Sequence, residues 1–179
     1  YPALCGIRHI VQDEPEGFML RTDFQRGIAA LAEFDLAYDI LIHARQLPEC
    51  ARLVERFPQQ RFVVDHAAKP DIRGGALHDW SAGITELARH ENVYCKLSGL
   101  VTEADWRAWT PADLEPYIDI VLDVFGPDRV MIGSDWPVCT LAGAYGDVMT
   151  ATATQIEARF PAGTDAVFGE NAAQFYRLP

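Results

Sequence analysis

Five short apolar runs, each turning polar at its carboxyl end, constrain this chain more than any other feature. They start at Gly6-Ile7-Arg8-His9-Ile10-Val11, Leu36 to Ile42, Arg61 to His66, Val93 to Gly99 and Arg129 to Asp135. Continuous apolar runs of this length read as strands buried on both faces of a parallel sheet. Helical spacing separates them: Phe24 to Phe34 with Asp23 as a cap, Pro48 to Phe57, Asp79 to Arg89, and Thr110-Pro111 onward to Phe125. Two more helices, Tyr145 to Arg159 and Ala166 to Tyr176, are predicted after the last strand. Thr110 with Pro111 is a strong helix start, since proline is preset for the first turn and has no N–H to lose there. Strand and helix alternating in this way give a parallel sheet with right-handed crossovers.

Two closures of that sheet compete. An open doubly wound sheet of five strands would be complete at this length, whereas a (β/α)8 barrel takes about 250 residues. No Gly-x-Gly-x-x-Gly or Gly-Lys-Ser/Thr loop follows any strand, which removes the usual sign of a nucleotide-binding open sheet. The chain opens on Tyr1 and enters a strand almost at once, so the expectation is an incomplete barrel, one domain over residues 1–179.

Composition bounds the partners. Of 179 residues, 49% are hydrophobic, enough for a sizeable core, and the formal net charge is -11. Such an acidic surface excludes nucleic acid and anionic membranes as expected partners and leaves a small molecule. Cys5, Cys50, Cys95 and Cys139 stand singly, without metal or disulfide spacing, and are read as small buried apolar residues. With no signal-like segment or long apolar run, a reducing, cytoplasmic setting is the expectation.

Polar residues collect where the strands end: Arg8, His9 and Gln12; His43 and Arg45; His66 and Lys69; Lys96 and Ser98; then Asp135 with Trp136 beside it. In parallel α/β folds these ends form the working face. Histidine, lysine and aspartate gathered there are what metal-assisted or general acid/base hydrolysis requires. Asp135 has a second reading as a helix cap. Lys96, in a strand, either points into the barrel or pairs with a carboxylate.

Four motifs in order carry a resemblance. Gly6-Ile-Arg-His-Ile-Val-Gln-Asp-Glu-Pro, Phe62-Val-Val-Asp-His-Ala-Ala-Lys-Pro, Cys95-Lys-Leu-Ser-Gly-Leu-Val-Thr-Glu-Ala and Ile132-Gly-Ser-Asp-Trp-Pro-Val resemble the sugar-lactonase group of amidohydrolase-related proteins. The tail from Val167 to Leu178 is similar to their closing helix. That group includes L-fuconolactone and L-rhamnonolactone hydrolases, with 2-pyrone-4,6-dicarboxylate lactonase more distant. The resemblance implies a TIM-barrel-like metal-dependent-hydrolase fold of which this chain covers strands four to eight. It further implies hydrolysis of a small aldonolactone, with Asp135 as base and His66 as its catalytic partner. Arg8, His9, Gln12, Arg45, Lys69 and Trp136 are then the candidates for binding substrate.

The family's first strand carries a His-x-His pair, and none occurs in this sequence. His66 and Asp135 would therefore be what remains of a metal site, and the cofactor expectation is none or a weakly bound divalent ion such as zinc. Two other readings stay open: a zinc-dependent decarboxylase or other hydrolase on the same scaffold, and an inactive barrel fragment that self-associates, as a homo-oligomer, through its open edges.

Overall fold

The computed structural model describes residues 4–178. Its strands are β1 (Gly6–Ile10), β2 (Ala37–Leu41), β3 (Phe62–Val64), β4 (Val93–Leu97) and β5 (Val130–Ile132). They form one parallel sheet in the order β1-β2-β3-β4-β5. The connecting helices are α1 (Thr22–Leu31), α2 (Leu47–Arg56), α3 (His78–Ala88) and α4 (Pro111–Phe125). After β5 come α5 (Tyr145–Arg159) and α6 (Asn171–Tyr176), the latter entered through a wider turn over Ala166–Glu170. Consecutive strands are neighbours without exception, which is the connectivity of a βα barrel rather than of a doubly wound sheet, whose strand order reverses at a switch point. Among the described residues, β1 and β5 each pair on one side only.

Alternation along the strands divides the sheet into two faces. Tyr38, Ile40, Phe62, Val64, Cys95, Leu97 and Val130 belong to the main apolar core with residues of the five long helices. The inner face is apolar only at its amino-terminal end, where Ala37, Val63 and Met131 pack against Phe175 of α6, with Tyr94 and Tyr176 beside them. Asn171 anchors that helix: its Nδ2 donates to the carbonyls of Val130 and Pro127, both at 2.7 Å, satisfying acceptors beside the free edge of β5. Nearer the strand exits the inner face turns polar, with Arg8, Asp39, Asp65 and Lys96.

Element boundaries depart from the sequence expectation in instructive places. Asp23 does not cap α1; it sits inside the first turn, where its carboxylate accepts from the Phe24 amide and pairs with Arg21. Thr110 does cap α4, in a reciprocal arrangement with Asp113. The third strand ends at Val64 rather than at His66, because the backbone there enters a conformation that no strand contains. Cys50, Cys95 and Cys139 are buried, Cys5 is partly so, and all four are free.

Candidate active site

From His66 to Lys69 the chain makes a left-handed turn. His66, Ala67, Ala68 and Lys69 have φ of 53°, 48°, 57° and 50°, and none is glycine. L-residues incur roughly 1–2 kcal/mol each in this region, because Cβ crowds the following carbonyl. A run of four persists only where its surroundings over-determine it. The Lys69 amide donates to the His66 carbonyl at 2.8 Å and closes the turn. Ala67 and Ala68 are fully buried, and the indole Nε1 of Trp80, on α3, donates to the Ala67 carbonyl at 2.7 Å. The turn delivers His66 to the strand-exit rim.

There His66 meets the ends of the next two strands. Its Nδ1 is 2.8 Å from Ser98 Oγ, just past β4, and its Nε2 is 3.5 Å from Asp135 Oδ1, past β5. Asp135 has φ of 56°, so a second left-handed residue aims the carboxylate at the imidazole. Gly99 makes the approach feasible. It has φ of 64°, and a Cβ built there would lie 2.9 Å from Asp135 Oδ2 and 3.0 Å from His66 Nδ1. Burial pushes His66 below its ordinary pKa, outweighing the upward pull of Asp135 and Asp65. The ring is therefore neutral at pH 7, with a carboxylate acceptor facing Nε2 and a hydroxyl facing Nδ1. That pairing assigns the proton to Nε2 and makes Ser98 the donor to Nδ1.

Behind this rim lies an ion network centred on the buried Asp65. Lys96 Nζ is 2.6 Å from Asp39 Oδ2 and 2.8 Å from Asp65 Oδ1. Arg8 reaches the other oxygen of Asp65 at 3.0 Å, and Tyr176 donates to Asp39 at 2.7 Å. Asp65 is 1% exposed, so its charge is tolerable only because two cations hold it. Burial alone would lower the Lys96 pKa, but Asp65 and Asp39 reverse this and raise it. Lys96 thus both points inward and pairs with carboxylates, joining the two readings of it.

The other sequence candidates divide. Lys69 stands 3.6 Å from Glu103 at the mouth, where burial raises the Glu103 pKa against the pull of Lys69. His43 is also lowered, by burial and then by Lys69 and Arg45. His9 does not join Arg8: one residue along β1 it faces the opposite side, stacked on Phe18 and 2.7 Å from Glu14. Arg45 is exposed and donates to the Gln12 backbone carbonyl, while the Gln12 side-chain oxygen is buried without a partner. Trp136 is 66% exposed, its amide held by Ser134. The cap reading of Asp135 survives only in its backbone, whose carbonyl accepts from Cys139. Asp39, Asp65, Glu103 and Tyr176 lie outside the sequence candidates, although an aspartate inside the apolar run Ala37-Tyr38-Asp39-Ile40-Leu41 is a readable sign of an inward charge.

The donors assembled here make up part of a divalent-metal site at most. Among the described residues no group of three histidine, cysteine, aspartate or glutamate side chains is placed to hold one. Zinc takes at least three protein ligands in catalytic sites, and His66 and Asp135 are two.

A family profile described as amidohydrolase matches residues 1–178. The chain is 44% identical to an L-fucono-1,5-lactonase of Burkholderia multivorans over 98% of its own length and 64% of that protein's. It is 43% identical to an L-fucono-1,5-lactonase of Burkholderia ambifaria, covering 99% of this chain and 62% of that one. It therefore spans somewhat under two thirds of the length of these relatives. Among solved structures, an amidohydrolase from Burkholderia multivorans with bound zinc superposes with a TM-score of 0.93 at 43% identity, over 97% of this chain and 64% of that chain. A solved structure from Pseudomonas putida, 20% identical, shares the fold at a TM-score of 0.74 over 96% of this chain and 63% of that one. Strand order, a polar strand-exit rim and a profile match over nearly every residue converge: this chain belongs to the amidohydrolase family, of whose TIM barrel it forms the part carrying five parallel strands.

Proposed function

We propose that this chain supplies the general base and its histidine partner for opening a small sugar lactone by water. The observation that carries this reading is the 3.5 Å approach of His66 Nε2 and Asp135 Oδ1 at adjoining strand ends, with Ser98 fixing the far side of the ring. The lactonase relatives support the substrate class. Asp135 takes a proton from water as the oxygen bonds to the lactone carbonyl carbon. The carbonyl π pair becomes an oxyanion, which the Nε2–H of neutral His66 stabilises. Collapse of the tetrahedral intermediate breaks the ring C–O bond, and the leaving alkoxide recovers the proton from Asp135 to give the hydroxy acid.

Arg8 and Lys69, both cationic and reaching the inner face or the mouth, are assigned to substrate oxygens. Trp136, broad and exposed beside Asp135, is assigned to a sugar face. Arg45, Gln12 and His9 are assigned to the outer part of the substrate site, Arg45 bonding the Gln12 carbonyl and His9 facing Glu14. No step here is routed through a metal. The test is a pH-stat assay of an aldonolactone panel with the wild-type chain, Asp135→Asn and His66→Gln. Each variant is expected to lose on the order of 10²–10⁴ in kcat; equal rates in wild type and Asp135→Asn would refute the base.

A further inference from the structure

The left-handed turn at His66 links a catalytic candidate to a residue outside the site. Trp80 lies on α3, is 2% exposed, and packs against Tyr117 with ring centroids 5.2 Å apart. Its ring is a core residue by packing, yet its one polar atom is spent on the carbonyl of Ala67, next to His66. Two candidates leave that turn in different directions: His66 toward Ser98 and Asp135, and Lys69 toward Glu103. A relaxed backbone at Ala67 would carry both away from these partners at once.

We propose that Trp80 is a positioning residue, whose indole N–H clamps the Ala67 carbonyl and so holds the strained turn that aims His66 and Lys69. The clamp acts on the ordinary energetics of the chain. Each of the four residues prefers a negative φ, so the turn is the minor choice of the isolated segment. A buried donor with no other acceptor is costly to leave unpaired, and this penalty opposes any return of Ala67 to its preferred region. The helix bearing Trp80 belongs to the main core, so the clamp is referred to a rigid wall rather than to a loop. The proposal rests on the lactonase reading for its kinetic consequence, though not for its structural one.

Trp80→Phe keeps an aromatic ring against Tyr117 and deletes the donor. In the folded variant the His66 ring nitrogens are expected to lose their distinct 15N signature at fixed pH, identified by comparison with His66→Gln. kcat is expected to fall about 10- to 100-fold with KM little changed, the scale on which a small misplacement acts. Adding Ala67→Gly should restore part of both, because glycine occupies positive φ without the Cβ penalty. Ile156→Val, a packing change on the distant α5, should lower the melting temperature and leave kcat alone. A folded Trp80→Phe with wild-type His66 resonances would overturn the clamp. So would a wild-type Trp80 indole proton exchanging as fast as an exposed one, a measurement that needs no variant and decides the matter should Trp80→Phe not fold. If the wild type hydrolyses no lactone while the His66 resonances of Trp80→Phe still move, the clamp stands and the lactonase reading falls.

Discussion

Ser98 Oγ stands 2.8 Å from His66 Nδ1 and is itself almost wholly buried, so the imidazole has a fixed partner on the side away from Asp135. Ser98→Ala leaves that nitrogen without a partner. The net worth of one hydrogen bond is about 1 kcal/mol, so kcat is expected to fall roughly three- to tenfold. Asp135→Asn should cost far more, and steady-state kinetics on the two variants separates a positioning role from a proton-accepting one.

Lys96→Met would leave Asp39 and Asp65 facing each other across the inner face with their common cation removed. Breaking a buried pair from one side costs about 3–5 kcal/mol. Urea unfolding is expected to show a loss of that order, with Asp65→Asn in the Lys96→Met background recovering part of it. The Lys96 pKa is raised in the fold, so its contribution is fully present below its unfolded value near 10.5 and lost as pH climbs beyond it. The wild type should therefore lose stability above about pH 10.5 more steeply than Lys96→Met.

Acid acts on the site in the opposite sense. His66 has a lowered pKa in the fold, chiefly through burial, so below its unfolded value of 6.5 the unfolded chain binds a proton that the folded chain refuses. Stability then falls with pH from 6.5 down to the folded value and is flat beneath it. The melting temperature of His66→Gln should drop less between pH 8 and pH 5.5 than that of the wild type; identical drops would show that His66 does not titrate as its burial requires.

Gly99→Ala tests the clearance between the proposed base and its histidine partner. The added Cβ would come within 3.0 Å of both His66 Nδ1 and Asp135 Oδ2, on a backbone of positive φ. Roughly 1 kcal/mol of strain is expected from φ alone. Activity should suffer beyond this, because the methyl group separates the proposed pair, and thermal melts beside kinetic assays would show the two losses differing in size.

Much of this was legible in the residues themselves. Apolar runs ending in Asp-His, Lys-Leu-Ser and Gly-Ser-Asp located the strand exits within a few residues, because period and punctuation are local properties. The same runs could not say which face a side chain takes. His9 and Arg8 are adjacent in sequence and belong to one strand-end cluster, yet strand alternation sends one to Phe18 and the other to Asp65. Asp39 and Tyr176 are far apart in the chain, and only the return of α6 across the inner face joins them.

The sequence by itself determined the alternation of strands and helices, the polar rim and the family, since each depends on short-range pattern. Tertiary structure decided how His66 is held. Nothing in His66-Ala67-Ala68-Lys69 favours a left-handed path, and such a path becomes the stable one only when a buried indole, a closed turn and a packed core oppose the local preference together.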